Sequence, residues 1–398
     1  MKLLHIICST EPESGGPIEA LRRISEVLIR DGHEIHVASL ESQEKIEKCG
    51  LNLRLTGMGP GIGRYSYTGS LAPWLKQKAG DYDAVIVHGI WNYSSAGAWR
   101  ALRNHRTPYF VFVHGMMDPW FSRHYPLKHI AKQIYWTLVE GRALHKARRV
   151  LFTCGEEMAR AHGVFRGPGY RGQVVLYGTA DLSVDPMVAR ADFAAAFPAL
   201  KDRRFLLFLS RIHPKKGCDL LLRAFADCLA GAPSDLDLVI AGPDQVGLVV
   251  ALKQLADKLG IAHRVHWPGM LKGNLKWGAF LRADAMILPS HQENFGFVVA
   301  EAMACSAPVL ISNKVNIWRE VEAAEAGFVE ADTEEGTRSL IRRFLALPAE
   351  EHAAMRRNAR KGFLRYFHIE ESARDFVRVI AAAKDEPAGA GSLPHSIG

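Results

Sequence analysis

Long apolar runs and signal-peptide features are absent from this chain of 398 residues. Its longest apolar runs, at residues 206–209 and 283–289, fall far short of the roughly 20 residues that a membrane-spanning helix needs. Glu11 and Glu13 follow the short apolar start, and no small-residue cleavage site appears. These absences exclude a transmembrane helix and argue against a signal peptide, so we expect a protein that stays in the cytoplasm.

Paired cysteines and the standard glycine-rich phosphate motifs are missing as well. The six cysteines are scattered without a CxxC pair, and we expect them to be reduced, buried thiols. Neither GxGxxG nor GxxxxGK followed by Ser or Thr occurs. The glycine-rich residues 57–63 fail the first pattern, because Arg64 stands three positions after Gly61.

The composition is that of a soluble globular protein, with 48% hydrophobic and 23% charged residues. The length suits two domains of ordinary size. A net charge of +8 suits a phosphate-bearing ligand or an anionic membrane surface. Nucleic acid is the rival partner, but the basic residues are spread over both halves and no nucleic-acid motif occurs, so we expect none.

Strand-like apolar runs alternate with helical stretches along the chain. In the second half they recur at residues 205–210, 238–241, 265–267, 285–288, 309–311 and 327–329. This alternation is the βαβ pattern of a parallel sheet. Ligands of such sheets collect at the carboxyl ends of the strands, which is where His114, Arg211 and Lys216 fall.

Residues 288–309 form the segment that carries most of the chemistry. An apolar strand stops at Pro289, a polar loop follows, and an apolar helix opens near Phe295, where unpaired backbone N–H groups could bind an anion. Glu293 and Glu301 flank this opening. If every step between them were helical they would lie about 12 Å apart, beyond the roughly 5 to 9.5 Å of a glycosidase pair. Two acids along one extended ligand fit better.

Two Asp-x-Asp segments, at residues 81–83 and 235–237, could suggest a divalent metal ion. Each stands directly before an apolar run, so both favour turn residues at the start of a strand. We therefore predict no metal.

Residues 293–296, Glu-Asn-Phe-Gly, followed by residues 301–304, Glu-Ala-Met-Ala, resemble the acidic signature of the retaining glycosyltransferases of family 4. Two glutamates with seven residues between them would be a weak signal alone. Here they are joined to the preceding strand, Pro289 and Pro308. The resemblance covers nearly the whole chain and implies an α/β GT-B fold, in which two doubly wound Rossmann-like domains face a cleft.

The resemblance also implies roles for individual residues. Arg211 and Lys216 would grip the donor diphosphate, Glu293 would meet hydroxyls of the donor sugar, and His114 would lie against that sugar. No dedicated general base is apparent, and in the family the leaving phosphate is usually drawn as taking the acceptor's proton. The resemblance implies no cofactor.

Other residues would bind the donor. In the family a glycine pair in the first strand-to-helix loop faces the diphosphate, the second glutamate of the signature holds the ribose, and the end of the strand at 265–267 lies near the base. The residues in these positions and around the helix opening are Gly15, Gly16, Asn294, Phe295, Gly296, Glu301 and Met270. Two departures stand out: Ser306 replaces a usual glycine, and residues 313–317 replace a frequent Gly-rich loop near the phosphates.

The resemblance implies an acceptor-side domain at 1–180, a linker at 181–204 and a nucleotide-sugar-binding domain at 205–366. A helix at 367–385 would cross back to the first domain, and residues 386–398, rich in Gly, Ser and Pro, should be disordered. Residues 57–63 could form a mobile acceptor-side loop or a plain flexible connection.

The implied reaction moves a hexosyl unit from a UDP- or GDP-linked sugar, with retention, to a saccharide or lipid-linked saccharide of a surface polysaccharide pathway. The basic and aromatic residues 121–149 suit contact with the inner-membrane surface, and a solvated helix packed on the sheet is the alternative. A GT-B nucleotide-sugar epimerase and a non-catalytic, membrane-associated binding protein are the rival functions.

Overall fold

In the computed structural model, the described residues are 1–11, 16–229 and 236–386. Gly15 and, beyond Glu386, the predicted disordered tail lie outside these ranges. The strands are β1 (Lys2–Ile7), β2 (Glu34–Ser39), β3 (Arg54–Gly57), β4 (Ala84–His88), β5 (Tyr109–Phe112), β6 (Val150–Phe152), β7 (Gly172–Val174), β8 (Arg204–Leu209), β9 (Leu236–Ala241), β10 (Val265–Gly269), β11 (Ala285–Leu288), β12 (Val309–Ser312) and β13 (Gly327–Glu330).

Helices follow most of the strands, as the alternating pattern predicts. They are α1 (Gly16–Arg30), α2 (Gln43–Glu47), α3 (Leu71–Lys78), α4 (Tyr93–Leu102), α5 (Trp120–His124), α6 (Pro126–Tyr135), α7 (Gly141–Lys146), α8 (Gly155–Ala161), α9 (Pro186–Ala196), α10 (Cys218–Leu229), α11 (Val249–Lys258), α12 (Gly273–Arg282), α13 (Phe297–Ala304), α14 (Trp318–Ala323), α15 (Glu334–Leu345), α16 (Ala349–Tyr366) and α17 (Ile369–Ala383). A π-helical turn, Trp136–Glu140, joins α6 to α7.

The chain divides into two compact units. The first contains Met1–Tyr177 together with the segment that begins at Ile369, and the second contains Gly178–His368. Acceptor-side and donor-side roles for these units stay predictions.

The first unit is built on a seven-stranded parallel sheet in the order β3-β2-β1-β4-β5-β6-β7. All five residues of β4 are buried, as expected for a strand covered on both faces. The chain moves outward from β1 to β3 on one side and from β4 to β7 on the other. The direction of winding therefore reverses between β1 and β4.

Helix α17 belongs to the first unit although it comes last in the sequence. It packs against α1, where Glu370 pairs with Arg30 at 2.5 Å. The carboxylate of Asp375 accepts a hydrogen bond of 2.8 Å from the backbone N–H of Leu176. These contacts attach the helix directly to the first unit.

The second unit is built on a six-stranded sheet in the order β10-β9-β8-β11-β12-β13, with every paired strand parallel. Here the winding reverses between β8 and β11, which are hydrogen-bonded neighbours. Both sheets are doubly wound, so the predicted fold class is confirmed for each unit.

The segment predicted as a linker, 181–204, contains the well-formed helix α9. The side chain of Asp185 caps the helix by accepting a hydrogen bond of 2.7 Å from the N–H of Met187. The helix packs closely against α12, so that a β-carbon on Gly278 would come within 2.2 Å of the carbonyl oxygen of Ala189. This segment is therefore an integral part of the second unit.

The Asp-x-Asp segments are only partly as predicted. Asp83 does precede β4, where its carboxylate accepts a hydrogen bond of 2.7 Å from the N–H of Lys2. Asp237 is instead buried inside β9, paired with Arg203 and with His266 at 2.9 Å. The prediction of a turn residue was wrong for Asp237, because cationic partners let a carboxylate be buried within a strand. Asp235 lies outside the described residues.

No helix in the described ranges combines the length and the apolar character needed to cross a membrane. All six cysteines are free. Four of them are buried, whereas Cys8 and Cys49 are half-buried. Burial raises the pKa of both Cys218 and Cys305 to about 12, so neither is a reactive thiolate at neutral pH.

Candidate functional site

The second sheet offers a binding position at the point where its winding reverses. The loops after β8 and β11 leave the sheet side by side, at the carboxyl ends of neighbouring strands, where ligands of open α/β sheets bind. The N–H of His291 donates a hydrogen bond of 2.7 Å to the carbonyl oxygen of Lys215, which joins the two loops. Gly217 has a φ of +66° and approaches Pro289 so closely that a β-carbon would lie 2.4 Å from its carbonyl oxygen. Only glycine fits there.

Lys216 and Glu293 meet at this position and form an ion pair. Lys216 ends a short 3₁₀ turn that the ring of His213 caps by accepting from the N–H of Lys215 at 3.1 Å. Its side chain is 5% exposed, whereas that of Glu293 is 22% exposed. A buried ammonium group needs such a partner, and the carboxylate is the more exposed member of the pair.

The backbone of Glu293 is fixed by residues 313–317, the segment that departs from the family pattern. Its N–H donates to the carbonyl oxygen of Lys314 at 3.0 Å, and its carbonyl oxygen accepts from the N–H of Asn316 at 3.1 Å. The side-chain amide of Asn316 also reaches that of Asn294 at 3.5 Å. Residues 313–317 thus hold the Glu293 loop in position through these hydrogen bonds.

Glu301 lies on α13, is 3% exposed, and pairs with Lys276 of α12 at 2.7 Å. The ammonium group of Lys276 also lies 5.2 Å from the centre of the Trp277 ring. Lys276 was missed from the sequence. The sequence shows one cation inside the otherwise apolar residues 275–281. A solvated lysine would give the same pattern, and the sequence does not show the contact with Glu301.

Helix α13 begins at Phe297, two residues later than predicted, so the two glutamates do not lie on one helix. Gly296 precedes it with a φ of +79°, and a β-carbon there would lie 3.3 Å from the Cγ of Glu293. Among the described residues, no side chain caps the helix start. Phe295 is buried and packs on Phe297 at 5.1 Å, so its ring belongs to the core.

Arg211 and Met270 stand at the ends of β8 and β10 with exposed side chains. Arg211 donates a hydrogen bond of 3.2 Å to Gln245. In the described part of the chain, no hydrogen bond or ion pair joins Arg211 or Met270 to the Lys216–Glu293 pair. Both are side chains that a ligand could contact without displacing a packed group.

His114 belongs to the first unit, two residues beyond β5, with a φ of +49° that is uncommon for a residue with a side chain. Its ring is half-buried and stacks on Phe112 at 4.5 Å. Burial and, second, the neighbouring His88 hold the pKa of His114 well below its usual value, so the ring is neutral at pH 7. Gly16, the other predicted residue of this unit, is the first residue of α1.

The lysine and glutamate pairs define what the second unit can do chemically. The ammonium group of Lys216 can donate to phosphate oxygens, and carboxylates accept hydrogen bonds from hydroxyl groups. In the described ranges, no group of three or more His, Cys, Asp and Glu residues could hold a metal ion.

Two family models match the chain. Residues 15–178 match the glycosyl transferase 4-like domain, and residues 190–362 match glycosyl transferases group 1. Together the two matches cover more than four fifths of the chain and fall one on each compact unit.

Related sequences are only partly aligned. The chain is 34% identical over 197 residues to a D-inositol 3-phosphate glycosyltransferase of Geodermatophilus obscurus, an alignment that covers 48% of this chain and 43% of that protein. The chain therefore spans less than half the length of this relative.

Solved structures match over almost the full length at low sequence identity. HepE of Anabaena in complex with UDP and glucose has a TM-score of 0.69 at 19% identity, with 96% of this chain and 100% of that chain covered. A glycosyltransferase from Rickettsia africae has a TM-score of 0.75 at 13% identity, with 97% and 99% covered. At these identities the likeness concerns the fold, and it confirms the predicted GT-B architecture.

Proposed function

The chain belongs to the family of group 1, GT4-like glycosyltransferases, and we propose that it moves a hexosyl unit from a nucleotide-diphosphate sugar with retention of configuration. The observation that carries this proposal is the Lys216–Glu293 pair, which brings a cation and a carboxylate together at the winding reversal of the second sheet. UDP and GDP are both possible donor nucleotides.

The reaction breaks the bond between the anomeric carbon and a diphosphate, so negative charge grows on the leaving group. Lys216 uses one of its three N–H donors on Glu293 and has two left for phosphate oxygens. Arg211 and the uncapped start of α13 add further donors. Fixed donors aimed at developing charge stabilise the transition state without any metal, and we propose that none is required.

The carboxylates orient the donor rather than act as nucleophiles. Glu293 accepts from hydroxyls of the donor sugar, and Glu301, held by Lys276, accepts from the ribose. The leaving phosphate takes the proton of the acceptor hydroxyl. His114 donates a hydrogen bond to the donor sugar. Gly16 contacts the diphosphate of the donor, and Met270 contacts its nucleotide base.

Substitution of the central pair tests this proposal. We expect Lys216→Ala and Glu293→Gln each to lower sugar transfer roughly a hundredfold, the usual cost of losing one transition-state contact. The matched controls are Lys253→Ala and Glu350→Gln, which change exposed residues of the same unit. Thermal unfolding of each variant shows whether it is folded. Folded central variants with near wild-type transfer rates would reject the site.

The two rival functions make different predictions in the same assay. An epimerase would isomerise the donor sugar without any acceptor. A binding protein would release no nucleotide with any acceptor.

An acceptor at a membrane surface is supported by an exposed apolar stripe on α6 and the π-helical turn. Its members are Leu127, Ile130, Ile134 and Leu138, which are 81%, 58%, 58% and 55% exposed. Their spacing of three and four residues places them along one face of a helix. Exposed apolar residues in such a row typically mark an interaction surface.

Positive charge lines a surface hollow elsewhere in the first unit. A surface hollow of about 470 Å³ near α7 is lined by Arg103, Arg142 and Lys146, and its lining includes no acidic residue. An exposed apolar row and a cluster of cations on the same unit are both features that fit an anionic bilayer. We therefore propose peripheral contact with the inner-membrane surface and a saccharide or lipid-linked saccharide of surface polysaccharide synthesis as the acceptor.

A further inference from the structure

Three histidines form a hydrogen-bonded row across neighbouring strands of the first sheet. His5 lies in β1, His88 ends β4, and His114 follows β5, and these strands are adjacent in that order. The Nδ1 of His5 lies 2.9 Å from the Nε2 of His88, and the Nδ1 of His88 lies 3.0 Å from the Nε2 of His114. The ring centroids lie 5.2 and 5.3 Å apart, and the ring planes differ by only 25° and 14°, so the rings are nearly parallel.

All three rings are neutral at pH 7. His5 and His88 are buried, and burial lowers the pKa of His88 to about 3. Burial and, second, His88 hold the pKa of His5 well below its usual value, as they do for His114. A neutral imidazole carries one N–H and one bare nitrogen. Every proton in the row must therefore point the same way along it.

Two directions are possible, and they differ at the ends of the row. In the first, His5 donates to His88, His88 donates to His114, and His114 keeps its own N–H on Nδ1. In the second, the protons point toward His5, which then carries an N–H on Nε2, and His114 has a bare Nδ1.

The buried end of the row discriminates between these directions. In the described part of the chain, the Nε2 of His5 is buried without a hydrogen-bond partner. The ring of Phe376 stacks over His5 with an angle of only 26° between the ring planes, so an in-plane N–H cannot point at its face. Among buried backbone groups, N–H donors without an acceptor are rarer than C=O acceptors without a donor, and we apply the same preference to the imidazole. The first direction leaves only a bare nitrogen there.

We infer that His5 and His88 are positioning residues that fix His114 in the tautomer with its proton on Nδ1. No hydrogen bond to this Nδ1 is present in the described part of the chain, and the half-buried ring stands at the carboxyl end of the sheet. His114 therefore offers an N–H donor to an oxygen of the bound ligand. The identity of this ligand oxygen, a hydroxyl of the donor sugar, rests on the proposed function.

His88 can be replaced in two ways that separate positioning from packing. His88→Asn puts an amide N–H near the place of Nδ1 and can still donate to His114. His88→Leu removes the donor and keeps an apolar side chain of similar size. We expect His88→Leu to lower sugar transfer roughly three- to tenfold, the scale of one neutral hydrogen bond, and His88→Asn to recover most of it.

The tautomer itself is measured by nitrogen NMR of the full-length protein with ¹⁵N-labelled histidine rings and without substrate. The His114 signals are identified by their loss in His114→Asn. We expect a protonated Nδ1 and a bare Nε2 on His114 in the wild type and in His88→Asn, and a changed pattern in His88→Leu. A bare Nδ1 or a doubly protonated ring in the wild type at pH 7 would overturn the inference.

The wild-type spectrum decides the matter even if His88→Leu does not fold. Transfer by His114→Asn is a separate readout. An unchanged transfer rate in that variant would remove His114 from the proposed function and leave its tautomer as measured.

Discussion

At the scale of single residues, Lys216 keeps an ammonium group on a side chain that is only 5% exposed. An isolated buried charge costs several kcal/mol, and Glu293 offsets that cost. Positions near strand ends and the family resemblance identified both residues but not their contact, because the contact depends on β8 and β11 being neighbours. Glu301 was identified in the same way, whereas Lys276, its partner, was not, since nothing in the sequence shows which way a lone helical lysine points.

Another buried ionisable residue, Glu140, gives a prediction for stability. Glu140 is fully buried, and burial raises its pKa from 4.5 to about 7. The carboxyl group of Glu140 has a higher pKa in the folded protein than in the unfolded chain. It therefore contributes stability that is fully present below pH 4.5 and is lost as the pH rises through 7. We expect Glu140→Gln to gain stability relative to the wild type between pH 5 and pH 8, by about 3 kcal/mol at most.

Thermal unfolding at several pH values measures this difference. The control is Glu47→Gln, a change at an exposed residue of α2, which should shift the midpoint equally at all pH values. A pH-independent gap between Glu140→Gln and the wild type would show that Glu140 is ionised in the folded protein.

At the scale of elements, α6 and the π-helical turn illustrate what sequence patterns can show. Basic and aromatic residues at 121–149 predicted a membrane-facing or packed helix, and the sequence left these alternatives open. The exposed stripe favours the first, because four large apolar side chains stay in solvent. The sequence could not reveal this, since apolar residues at helical spacing usually face a core.

Vesicle binding tests the stripe. We expect Ile130→Ser with Ile134→Ser to lower binding to vesicles that contain anionic lipid by at least about tenfold, since each isoleucine contributes on the order of 1.5–3 kcal/mol when fully buried. The matched control is Met187→Ser with Val188→Ser, which changes two exposed residues of α9. Equal binding by both double variants, or no binding by the wild type, would contradict a membrane role.

At the scale of the whole molecule, alternating runs predicted parallel sheets and the family resemblance implied two doubly wound domains, and both sheets are present. Strand order could not be read from periodicity, which reports burial and not neighbours. For that reason the sequence could show neither that α9 packs on α12 nor that Asp237 is buried, and the prediction of a turn residue was wrong for Asp237. Their environments are set by α12 and by Arg203, which are distant in sequence.

Nucleotide binding tests the central claim most directly, namely that Lys216 and Glu293 mark a diphosphate site. A ligand at a hundredfold excess over its Kd stabilises the folded state by about 2.7 kcal/mol. We predict that UDP or GDP raises the unfolding midpoint of the wild type and of Lys253→Ala, and that Lys216→Ala loses most of this rise. No rise with either nucleotide, or an equal rise in Lys216→Ala, would contradict the account.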